Sequence, residues 1–96
     1  MEWELEGELV EWRGPAPFFF VDIDQESSAE IKQAAAGLEY WGQIAVQARI
    51  GDTRFTTALF PKDGRYLLPV KVAVRRSERI AEGDLVAAHI ELRLDR

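Results

Sequence analysis

Cysteine is absent from the 96-residue chain, which excludes disulfides, thiolate metal sites and thiol nucleophiles. Histidine occurs once, at His89, so a His-rich metal site cannot be built and no Ser–His pairing can be argued from its neighbours. Gly-x-Gly-x-x-Gly and Walker-type spacings are missing, and with them the backbone cradles that hold nucleotide phosphates. No apolar run approaches the roughly 20 residues that span a bilayer; the longest comparable run is 18–21. The start, Met1-Glu2-Trp3-Glu4, is acidic where a signal peptide is basic, so the cytoplasm is the expected compartment. Positive charge is also scarce. Lys and Arg number 12 against 17 Asp and Glu, for a net charge of −5 and a pI near 4.8. Nonspecific nucleic-acid binding needs clustered cations and is not expected.

What is present suits a single folded domain over residues 1–96. Apolar residues make up 47% and charged residues 30%, enough for a core without covalent staples. The charge is unevenly placed. Residues 1–30 hold nine acids and one base, whereas residues 31–96 hold eight acids and eleven bases. Two readings follow: the halves attract each other across one fold, or the later strands present a basic face to an anionic partner.

Period-two patterning dominates. Trp3, Leu5, Gly7 and Leu9 alternate with Glu2, Glu4, Glu6 and Glu8, as on a strand with one buried and one solvated face. The alternation slips at Val10 and Trp12, and a β-bulge near Leu9-Val10 is expected there. Gly14-Pro15-Ala16-Pro17 reads as a turn. The strand that follows, 18–23, is apolar on both parities and calls for cover on both faces. Ser27-Ser28-Ala29-Glu30 then reads as a capping box, with Ser27 as the cap. Ile31, Ala34, Ala35 and Leu38 recur at helical spacing, and Gly37 is placed to end that helix.

Strands resume from Trp41. Ile44, Val46, Ala48 and Ile50 form one face, Gly51-Asp52 a turn, and Phe55, Thr57 and Leu59 the return. A second turn is expected at 61–64. Tyr66, Leu68, Val70, Val72 and Val74 alternate as a further strand, in which Pro69 marks an edge, bulge or boundary. Residues 75–83 read as a polar connection closing at Gly83-Asp84, and Val86, Ala88, Ile90, Leu92 and Leu94 as the last strand, with His89 outward. The expected fold is mainly β: a small six- to seven-stranded β-barrel, double-split-barrel-like, with one α-helix.

Candidate chemistry is sparse. Asp22 and Asp24 could form a carboxylate pair or be solvated aspartates entering a helix. Trp12, Trp41, Tyr66 and the phenylalanines at 18–20 either fill the core or line a pocket. Lys71 and Arg75, with Arg76 and Arg79 beyond, are the candidate anion-binding cations, through the donor fork of Arg. Trp41 and Tyr66 are their candidate aromatic neighbours. No metal site and no cofactor is expected.

Ordered blocks carry a resemblance. Trp41-Gly42-Gln43-Ile44 with Val46, Ala48 and Ile50-Gly51, then Phe55-Thr56-Thr57 with Leu59-Phe60-Pro61-Lys62, then Gly64, Tyr66, Leu68-Pro69-Val70-Lys71 and Val74-Arg75, and finally Ile80, Gly83-Asp84 and Val86, resemble a bacterial family known only as domain of unknown function 1905. The resemblance implies a small β-barrel near the double-split barrels. Leu68-Pro69-Val70-Lys71 and Gly83-Asp84 are also similar to the pattern of swapped-hairpin transcription factors and antitoxins. It implies no activity, because folds host unrelated functions.

The leading functional expectation is a non-catalytic binding module for a small anionic ligand or a protein partner. The alternatives are a dimeric DNA-binding regulator with a basic face of Arg75, Arg76 and Arg79, and an enzyme using Asp22 or Asp24 with Lys71.

Overall fold

The computed structural model describes residues 1–15, 18–39 and 42–93. Six strands and two short helices follow one another as β1 (Glu2–Trp12), β2 (Phe18–Asp22), α1 (Gln25–Ala34), β3 (Ile44–Ile50), β4 (Thr53–Lys62), β5 (Arg65–Pro69), α2 (Val72–Glu78) and β6 (Leu85–Leu92). The strands close into an antiparallel barrel in the order β1-β2-β5-β4-β3-β6.

The two longest strands are shared between two half-barrels. Glu2 to Glu8 of β1 pair with β6, and Leu9 to Trp12 pair with β2. Ile44 to Ile50 of β3 pair with the first seven residues of β4, whereas Phe60 to Lys62 pair with β5. Where β1 changes partner, Gly7 lies so close to β2 that a Cβ there would strike the Asp22 carbonyl oxygen and come within 2.9 Å of Val21 Cγ1.

A bulge does occur at Leu9, with the extra residue on the facing segment. The Gly83 amide donates to the Leu9 carbonyl (2.8 Å) and the Leu9 amide to the Asp84 carbonyl (2.9 Å), so two residues oppose one. Gly83 has φ of 92°, which a side chain resists and glycine accepts. The β1 side keeps its parity, with Leu9 inward and Val10 and Trp12 outward.

The interior holds Leu5, Leu9, Val21, Val46, Leu59, Leu68 and Ile90 among other apolar side chains. Helix α1 closes one end with Ile31. Its Ser28 hydroxyl donates to the Ile23 carbonyl (3.3 Å) and accepts from the Tyr66 amide (3.0 Å). The cap of α1 is Asp24 rather than the expected Ser27: the Asp24 carboxylate accepts from the Ser27 amide at 2.9 Å. Aspartate three residues earlier reaches that orphan amide, which makes Ser27 a donor inside the first turn. Gly37 takes φ of 86° just past the helix end, as its placement requires.

The expected strand through Val74 ends at Pro69. Residues 72–78 form α2 instead, a second helix beyond the single one expected, and it closes the opposite end with Val74. Alternating valines fit a strand, but Val74 buries itself as a plug when the chain turns helical after the proline, and packing overrides propensity. The Thr53 hydroxyl at the start of β4 bonds Ser77 of α2 at 2.9 Å. Among the described residues, no helix is long and apolar enough to cross a membrane.

Candidate functional site

The sequence-nominated anion-site residues that the structure describes lie on β5 and on α2 with its caps. Tyr66 is buried inside the barrel, where burial and, secondarily, Glu39 push its hydroxyl pKa above the usual value. Lys71 is exposed at the N-cap of α2, not on a strand. Arg75, one turn on, lays its guanidinium over the Phe19 ring, 3.8 Å from the centroid, and donates from Nε to the Val70 carbonyl at 3.3 Å. Trp41 lies outside the described residues. Lys71, Arg75, Arg76 and Arg79 make no ion pair among the described residues. Asp22 and Asp24 are held apart in role: Asp22 pairs with Arg65 at 2.9 Å, and Asp24 caps α1.

Opposite-sign attraction between the early and late chain is realised in part, by Asp22 with Arg65 and Arg13 with Glu82. His89, outward on β6, sits between two acids of β1, with Nε2 2.8 Å from Glu2 and Nδ1 2.6 Å from Glu4. Each ring nitrogen faces a different carboxylate, so the trio does not converge on one point. No group of three acidic or histidine ligands suited to a metal occurs among the described residues.

The most distinctive surface is one that parity in the sequence could have revealed. Where β1, β2, β5 and β4 meet, part of the outer face is apolar. Val10 stands opposite Phe20, Trp12 opposite Phe18, and Leu67 opposite Phe60. Phe18 is the hub, 5.4 Å from Trp12, 5.7 Å from Phe20 and 5.6 Å from Phe60 between ring centroids, at interplanar angles of 45°, 46° and 55°. These tilted geometries are the favoured ones for aromatic pairs. Phe20 and Leu67 are 7% and 4% exposed, yet neither belongs to the interior cluster. They form a second apolar layer outside the barrel wall.

That layer is incompletely covered. Trp12 is 44% exposed. Its ring lies over Gly14, where any Cβ would fall inside the indole. A groove of about 450 Å³ runs along the layer, lined by Trp12, Phe18, Phe20, Phe60 and Leu67, with Gln43 and Lys62 at its polar margin. A smaller hollow of about 130 Å³ continues past Phe20 and Leu67 to Asp22, Asp63 and Arg65. The rim charges come in pairs of opposite sign: Arg65 with Asp22 at 2.9 Å and Lys62 with Asp63 at 4.0 Å.

Chemically, this surface can hold apolar groups against its aromatic floor.

Among curated proteins, none matches this chain. A family model described as domain of unknown function (DUF1905) matches residues 6–90, and its span takes in all six strands and both helices apart from the outer ends of β1 and β6. The chain therefore belongs to the DUF1905 family of proteins.

Proposed function

We propose that this protein is a non-catalytic binding module, and that it engages a protein partner through the aromatic outer face of β1, β2, β5 and β4. The observation that carries this reading is the exposed Trp12 above a layer of phenylalanines that the core does not use. Large exposed aromatics cost solubility and mark interaction surfaces on small proteins. Trp and Phe in a desolvated centre with a polar rim are the usual carriers of binding energy between proteins. The test is a photoreactive amino acid at position 12, with position 6 on the acidic face as the control, in living cells. The reading requires a protein adduct from position 12 and none from position 6. Absence of any adduct from position 12 would remove it.

A second reading keeps the nominated cations as an anion site. It is favoured by Lys71, Arg76 and Arg79, which lack ion-pair partners among the described residues, on a helix whose Arg75 is already positioned by Phe19. Lys71 and Arg75 would hold a phosphate or carboxylate there, beside Phe19 rather than beside the buried Tyr66. Thermal melting in phosphate or sulfate tests it. Ion-dependent stabilisation that Arg75→Ala abolishes supports the site; equal shifts in both proteins dismiss it. The same arginines are what a DNA-binding reading would use, and a mobility shift at low salt that Arg76→Ala weakens would favour it.

A further inference from the structure

We infer that the occupant of the aromatic face is a second copy of this chain, related to the first by a two-fold axis through the groove. The inference rests on the binding-face reading above and names its partner. It follows from where charge lies on the barrel.

Each chain carries a net charge of −5, so two copies repel unless they meet where the surface is neutral. The unbalanced acids lie on the outer parity of the first half of β1. Glu2 and Glu4 share one histidine, and Glu6 and Glu8 stand opposite the uncharged Ala87 and Leu85. That half of β1 pairs with β6. The aromatic layer begins only where β1 changes partner to β2, beyond Glu8. Its rim pairs opposite signs: Arg65 beside Asp22 and Lys62 beside Asp63.

A two-fold interface sets a patch against itself, so every rim group must find its complement on the same patch. A rim of one sign cannot satisfy that, and a rim of balanced pairs can: Arg65 of one copy meets Asp22 of the other by a small shift of side chains already side by side. A partner with a strongly charged surface of either sign would be attracted to half of this rim and repelled by the other half. Shape agrees with charge. Trp12 stands exposed on one wall of a groove that it also lines, so a two-fold axis places each Trp12 at the other copy's groove.

The test is sedimentation of the purified full chain from low micromolar to near-millimolar concentration, with three comparisons. Wild type should show a reversible monomer–dimer equilibrium. Trp12→Glu, checked by circular dichroism, should raise the dissociation constant roughly 30-fold or more, as loss of a central aromatic anchor does. Glu6→Arg, outside the face, should not raise it. A charge-swap pair guards against a misfolded Trp12 variant: Arg65→Glu should weaken the dimer, and Arg65→Glu combined with Asp22→Arg should restore it. A wild type that stays monomeric throughout overturns the inference, as does a folded Trp12→Glu that dimerises like wild type. If the monomer is nevertheless photo-crosslinked through position 12 to a different protein in cells, the second-copy inference falls and the binding-face reading stands. If it is monomeric and forms no adduct, both fall.

Discussion

Phe18 of β2 and Phe60 of β4 bring their rings to 5.6 Å although β5 runs between their strands. The contact is made outside the barrel wall, across the side of Leu67, so it contributes to a layer separate from the interior. A double-mutant cycle with Phe18→Leu and Phe60→Leu should return a coupling of about 0.5–1.5 kcal/mol, the range for an aromatic pair beyond its burial. Additive single effects in denaturant unfolding would mean that the two rings pack independently.

Gly7 and Gly83 act at the two faces of the same crossing. A side chain at Gly7 meets the β2 backbone at Asp22, which cannot retreat without breaking the β2–β5 pairing. Gly7→Ala should therefore destabilise by about 2 kcal/mol or more. Gly83 has open space around it but a φ of 92°, so Gly83→Val should cost more than about 1 kcal/mol through backbone strain alone. Equilibrium unfolding in urea measures both, and a neutral Gly7→Ala would show that β1 and β2 do not approach so closely.

Asp24 gives the fold a titrating cap. The Ser27 amide and hydroxyl hold its carboxyl below the ordinary value of 3.8. A group depressed on folding stabilises the native state above its unfolded pKa and loses that contribution as pH falls through its folded pKa. Asp24→Ala should cost about 0.5–2 kcal/mol near neutrality. The gap between the two proteins should begin to narrow below about pH 4, where the unfolded carboxyl protonates, and close as pH falls through the lower pKa of the folded cap. Ser27→Ala, which keeps the amide donor, should cost less. A larger loss from Ser27→Ala would return the cap to serine.

Much of the barrel was legible because strand alternation needs only neighbours in sequence. Ile44, Val46, Ala48 and Ile50 point inward as their spacing requires, and the turns at Gly51-Asp52 and Asp63-Gly64 fall where glycine and aspartate place them. Gly83 was legible for the same reason. Helix α2 was not, since Val70, Val72 and Val74 fit a strand equally well. Only the open end of the barrel, a tertiary fact, decides that Val74 plugs it. The aromatic face was half-legible. Apolar Val10 and Trp12 on the parity that the glutamates begin, and the two-sided apolar β2, both signalled cover on the outer surface. Which side of the sheet those residues share with Phe60 and Leu67 depends on strand order, and β5 between β2 and β4 cannot be read from spacing. Lys71 and Arg75 shared a parity as strand residues; on and beside a helix they lie one turn apart.

The central claim is that the aromatic face is covered by another protein when the chain is in its cell. Hydroxyl-radical footprinting tests it, with labelling in cells compared against dilute purified protein and read residue by residue by mass spectrometry. Trp12, at 44% exposure, should be labelled readily when dilute and protected in the cell, with Phe60 following it. Val72, at 47% exposure on α2, should label equally in both and serves as the internal reference. Equal labelling of Trp12 in the two settings would contradict the account.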